Sequence, residues 1–103
     1  MLRVVKMIFQ NEQIETFKSL FEERKTKIRG QQGCTHLELW QDNDNPQIFF
    51  TYSHWNHLED LERYRKSDFF KDTWTQTKIL FAAKAEAWSV NTVSRGGAVK
   101  TQE

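Results

Sequence analysis

At 103 residues the chain has room for one domain with a single hydrophobic core, and a second domain is excluded. Fifteen Lys and Arg residues stand against 14 Asp and Glu, so no global field draws the chain to a nucleic-acid backbone or an anionic membrane. Hydrophobic residues make up only 38%, but eight Phe, four Trp and two Tyr concentrate apolar area in a few large side chains, which predicts an aromatic core.

No stretch is long enough to span a bilayer, and the opening MLRVVKMIF lacks the apolar run and cleavage site of a secretory signal. Cys34 is the single cysteine. It excludes an intrachain disulfide and a multi-cysteine zinc site and fits a reducing cytoplasm, where its expected role is that of a small buried hydrophobe.

In chain order, residues 2–9 are β-branched and apolar with partial alternation, which predicts a strand. A helix is expected from Asn11, with Ile14, Phe17, Leu20, Phe21 and Ile28 on one face, cations in its last turn, and Gly30 as its stop. From Cys34 to Trp40 the alternation is strict, Leu37 and Leu39 against His36, Glu38 and Trp40. The turn-forming run 42–46 (DNDNP) joins this strand to a second one, Ile48 to Trp55, as a hairpin.

Asn56 with Glu59 three residues on has the form of a capping box, which places a helix from about His57 that buries Leu58, Leu61 and Tyr64. Ser67 and Asp68 are expected to cap a further helical segment carrying Phe70, Trp74, Thr77 and Phe81 on one face. Residues 86–93 are the predicted last strand, and the tail 94–103, with two Gly and no aromatic, is expected to be a flexible arm beyond a domain of residues 1–93. The order βαββαβ folds most simply as a ferredoxin-like α+β layer pair, an antiparallel four-stranded sheet with its helices on one face.

The strands carry large side chains on both faces, Leu37 and Leu39 against His36 and Trp40 in one and Ile48, Phe50 and Tyr52 against Phe49 and Trp55 in the next. Helices on one side would therefore leave an aromatic face uncovered, which predicts a homodimer. Among acid/base candidates the three histidines come first because they titrate near neutral pH; His36 is singled out because a strand position can turn it toward a cavity or a partner. The histidines do not form a metal-ligand pattern. Tyr64 and Trp74 carry polar groups on large apolar bodies and lie on the helix face that should meet the sheet. With Tyr52, Trp55 and Phe70 they offer enough aromatic surface for a concave apolar site, although plain core is the commoner fate of such spacing. An RNA-recognition fold shares the element order, but residues 48–55 lack the Gly and basic residue that its third strand would carry.

The frame of an aromatic strand ending in Trp55, followed by Leu58, Leu61, Tyr64, Ser67 and Phe70 at helical intervals, resembles the antibiotic biosynthesis monooxygenase family over residues 2–93. The resemblance implies a dimeric α+β barrel, a pocket inside each protomer between sheet and helices, and a reaction with molecular oxygen that needs no metal, flavin or other cofactor. The implied substrate is a small electron-rich phenol, quinol or anthrone whose anion reduces oxygen; the alternatives are an isomerase on the same fold or a non-catalytic binding module. Tyr64, Trp74 and His36 become the candidate catalytic groups, and Phe17, Phe21, Leu39, Tyr52, Trp55 and Phe70 the expected pocket lining. Ser53 stands where many members have Glu, and Tyr64 and Phe69 where many have His. Trp74 stands where the haem-degrading branch has its ligand His, and an indole N–H only donates, so no haem is expected.

Overall fold

A computed structural model of the chain describes residues 1–97. Four strands, β1 (Leu2–Phe9), β2 (Cys34–Gln41), β3 (Ile48–Trp55) and β4 (Phe81–Val90), form one antiparallel sheet in the order β2-β3-β1-β4. Helices α1 (Ile14–Arg29), α2 (Leu58–Lys66) and α3 (Asp68–Lys78) cover one face, giving the expected ferredoxin-like α+β arrangement with its second helical stretch in two pieces.

Alternation along β1 and β3 decides what is buried. Met7, Phe9, Phe49, Ser53 and Trp55 point under the helices and are almost inaccessible. Phe9 stacks on Phe17 of α1 at 4.0 Å between ring centroids and meets Phe49 edge-on at 5.7 Å, while Phe17 meets Phe49 at 5.3 Å. The core is therefore the aromatic one that composition predicts, built from edge-to-face and stacked pairs.

The hairpin turn is held as its composition requires. The Asp42 carboxylate accepts from the backbone N–H groups of Asp44 and Asn45 at 3.0 and 2.8 Å, and Asn45 Oδ1 accepts from Gln47 N–H at 3.0 Å. Ser67 caps α3 by accepting from Phe70 N–H at 3.1 Å.

Several boundaries differ from expectation. Asn11–Gln13 form a 3-10 turn, and the α-helix proper begins at Ile14. The Asn56–Glu59 capping box does not form: His57 is the N-cap of α2 and makes no side-chain cap bond. Leu58 is 52% exposed, because side chains lean toward a helix's N-terminus and this one, in the first turn, projects past the end of the packed region. The last strand begins at Phe81 rather than residue 86; pairing of Phe9 with Phe81 and Ile8 with Ala83 overrides the weak strand propensity of the Ala-rich run. Part of the expected flexible tail, residues 98–103, lies outside the described residues.

Gly30 ends α1 in an ordinary right-handed conformation, so it is not the position that demands glycine. Gly33, at φ +84°, is. A Cβ there would fall 2.2 Å from the carboxyl carbon of Asp60, a buried residue whose Oδ1 accepts from Arg63 at 2.8 Å. Gly33→Ala should therefore cost about 2 kcal/mol or more, combining left-handed strain with displacement of a buried carboxylate. A urea-unfolding midpoint equal to that of the parent would contradict this account of the junction.

Candidate functional site

Between the sheet and the helices lies a cavity of about 330 Å³. Its origin is a mismatch of side-chain size. The sheet floor beneath it carries small groups, Thr51 and Ser53 on β3 and Ala85 and Ala87 on β4, whereas the helices above contribute Phe17, Phe21, Tyr64, Phe70 and Trp74. Rigid rings spanning a floor of short side chains cannot close the gap.

Ser67 fixes the roof. Its hydroxyl donates to the Tyr64 carbonyl at 2.6 Å while accepting from Phe70 N–H, so one residue ends α2 and starts α3. This brings Tyr64 and Phe70 to 5.1 Å, nearly perpendicular, and Tyr64 stacks on Trp55 at 5.4 Å. Phe70 lies parallel to Trp74 at 6.0 Å, and Trp74 meets Phe81 edge-on at 5.6 Å. Arg24 of α1 ties α3 down by donating to Asp72 at 2.9 Å and Thr73 at 2.8 Å. The wall is thus a continuous series of braced rings, with fixed orientation and little conformational freedom.

Polar groups on this wall divide into engaged and open ones. The Trp55 indole N–H donates to Ser53 Oγ at 3.0 Å, and Thr77 Oγ1 donates to the Thr73 carbonyl at 2.7 Å. The Tyr64 hydroxyl and the Trp74 indole N–H have no partner among the described residues, yet neither is sealed from the cavity: the one fully enclosed polar side-chain atom without a partner there is His54 Nε2. Burial pushes the Tyr64 phenol well above its ordinary value of 10.0, with a smaller contribution from Cys34. Tyr64 is consequently a neutral hydrogen-bond donor at physiological pH and not a base.

Phe17, Phe21, Trp55, Tyr64, Phe70 and Trp74 all line this cavity. His36 and Tyr52 do not. They project from the opposite face of the sheet, where Tyr52 stacks on Trp40 at 4.6 Å and His36 pairs with Glu38. Leu39 lies on β2 beside a more open groove of about 430 Å³ against α1. Cys34 is buried, and desolvation raises its thiol pKa, which leaves it a poor nucleophile. Thr51, Ser53, Ala85, Ala87, Arg3 and Arg65 are lining residues that the sequence reading did not assign. Short side chains at alternate strand positions mark Thr51, Ser53, Ala85 and Ala87 individually, but their meeting as one floor depends on the strand order.

The family model for antibiotic biosynthesis monooxygenases matches residues 1–76, from β1 into α3. The chain belongs to that family. Solved structures agree on the fold. A conserved protein from Methanosarcina mazei is 23% identical, with a TM-score of 0.78 over 84% of this chain and 86% of that one. A structure described as an antibiotic biosynthesis monooxygenase is 19% identical, with a TM-score of 0.83 over 91% of this chain and 100% of that one. A Mycobacterium tuberculosis protein is 12% identical, with a TM-score of 0.82 over 93% and 97%. No curated protein matches the chain. Among the described residues no helix is long and apolar enough to cross a membrane.

Within this member of the antibiotic biosynthesis monooxygenase family, Ser53 and Tyr64 present neutral hydroxyls on the cavity wall, and both keep their protonation state across the physiological range.

Proposed function

We propose that the protein is a cofactor-independent monooxygenase that oxidises a small electron-rich aromatic of the quinol, phenol or anthrone type within each protomer. The observation that carries this reading is the aromatic cavity in which the Tyr64 hydroxyl and the Trp74 indole N–H stand open as donors. A volume of about 330 Å³ suits a compact ring system held by apolar contact and a few polar groups.

For an anthrone, the substrate gives up a proton to water, and its carbanion transfers one electron to oxygen. Superoxide and the substrate radical combine at carbon as a peroxide anion. Protonation of that anion and loss of water leave a carbonyl, so one oxygen atom ends in the product and the other in water. Tyr64 and Trp74 stabilise the substrate anion by donating to it in a medium where water competes little. Oxygen uptake with a panel of quinols, phenols and anthrones tests the reading; if no panel member consumes oxygen above its uncatalysed rate, the reading falls and an isomerase or a binding module replaces it.

The same proposal includes a homodimer formed through the outer sheet face. What supports it is the set of exposed apolar residues there, Trp40 at 41%, Trp88 at 43% and Val90 at 40%. Light scattering should give twice 12.3 kDa. Trp88→Glu should shift the population toward folded monomer; a parent that is monomeric at micromolar concentration would remove the dimer from the proposal.

A further inference from the structure

Of the residues that line the cavity, Met7, Phe17 and Thr77 are buried, whereas Arg3, near the start of β1, is half-buried and Arg65, in the last turns of α2, is exposed. The part of the lining that carries the two arginines is therefore the open end, the one that reaches solvent. Arg3 is half-buried and points under the helices, as its register with Met7 and Phe9 requires. Its one side-chain hydrogen bond among the described residues runs from Nη1 to Ser89 Oγ at 3.0 Å. Arg65 makes none, and neither guanidinium pairs with a carboxylate among the described residues. The one acidic residue on the lining, Glu86, is opposite Lys6 in the strand register, a position that faces the outer side of the sheet.

A half-buried guanidinium with a second cation beside it and no counter-charge is an unfavourable arrangement for the empty protein. The Arg3 pKa is held below its ordinary value, first by burial and then by repulsion from Arg65. An anion at this end relieves both effects. A planar carboxylate is the natural occupant, since a guanidinium offers paired N–H groups at carboxylate spacing and a cleft of low polarity strengthens such bonds.

We infer that the cavity takes an acidic aromatic, whose ring lies against Tyr64, Phe70 and Trp74 while its carboxylate is held at the open end by Arg3 with Arg65 in support. This rests on reading the cavity as the substrate site and narrows the substrate class from neutral phenols and anthrones to aromatic acids. It makes Arg3 a specificity determinant of that site.

The test uses calorimetric titration with 2-naphthoate and 2-naphthamide, two probes of the same ring and nearly the same shape that differ in charge. The carboxylate should bind at least about 10-fold more tightly than the amide. Arg3→Gln should abolish that preference while leaving amide binding within about twofold, and Arg65→Gln should reduce it by a smaller, salt-sensitive amount because that residue is exposed. Circular dichroism checks folding, and if Arg3→Gln does not fold, Arg65→Gln and the salt dependence carry the test. Equal affinities for acid and amide, equal weakening of both by Arg3→Gln, or no binding of either probe would overturn the inference. Neither probe is a quinol or anthrone, so binding is read without turnover. Naphthoate preference with no oxygen uptake on any substrate removes the oxygenase reading and keeps the anion site. Oxygen uptake on neutral anthrones with no such preference does the reverse.

Discussion

Phe9→Ala is expected to destabilise the protein by about 3–5 kcal/mol, the range for emptying a buried aromatic position. Phe9 is wholly inaccessible and is the residue through which the layers meet. It stacks on Phe17 of α1, meets Phe49 of β3 edge-on, and lies 5.3 Å from Phe81 at the start of β4. These three neighbours come from separate elements and are themselves large and constrained, so they cannot collapse into the space left behind. A domain of this size has on the order of 5–15 kcal/mol of stability in total, and the variant would be marginal. Phe81 also braces Trp74, so the loosened packing should reach the cavity wall. Urea unfolding with linear extrapolation measures the loss; a shift below about 1 kcal/mol would mean that Phe9 sits in a site able to close around the deletion.

How far such features could be read from the sequence depended on whether the signal was local. Alternation in 2–9 and 48–55, the DNDNP turn and the Ser67 cap each act within a few residues, and the structure has all of them. The start of β4 was not local. Residues 82–85 (AAKA) carry little strand propensity, and they pair with β1 because Phe81 enters the Phe9 cluster, a contact between residues far apart in sequence. The Asn56–Glu59 pattern was a local signal that tertiary packing overrode. There Gly33 lies against Asp60 and its carbonyl accepts from Asn56 N–H at 2.8 Å, which fixes the entry to α2 by backbone contact.

The candidate site divides along similar lines. Phe70 and Trp74 lie one turn apart in α3, where spacing decides facing, and Tyr64 in α2 is set against them by the Ser67 junction, itself a local signal. Tyr52 could have been separated from Trp55 by parity alone, since three residues along a strand reverse the face. The dimension that strand and helix patterns did not carry was the height of the floor: Thr51, Ser53, Ala85 and Ala87 come together only through the strand order β2-β3-β1-β4, which places β1 between β3 and β4. Arg3 reads in the sequence as an ordinary charge near a terminus, and its register with Met7 and Phe9 is what turns it inward.

Tyr64→Phe should lower turnover about 100-fold on whichever substrate the oxygen-uptake panel identifies, the loss typical of removing one preorganised donor to a developing anion. The substitution deletes a single oxygen and preserves the ring, which stacks on Trp55 at 5.4 Å and meets Phe70 at 5.1 Å, so stability should change little. Because the hydroxyl has no partner among the described residues, its removal leaves no neighbour there unsatisfied. The pH dependence separates a donor from a base. Burial raises the Tyr64 pKa above the ordinary 10.0, so the phenol keeps its proton as pH rises through that value, and its contribution to turnover should stay flat from neutrality to about pH 10. The linked stability has the same sign: with the folded pKa raised, it is fully present below 10.0 and is lost as pH climbs through the folded value. The Tyr64→Phe and parent pH–rate profiles should therefore be parallel and offset by a constant factor. Profiles that converge at alkaline pH would identify Tyr64 as a titrating group, and equal rates throughout would place anion stabilisation on Trp74 or on the Arg3 end of the cavity.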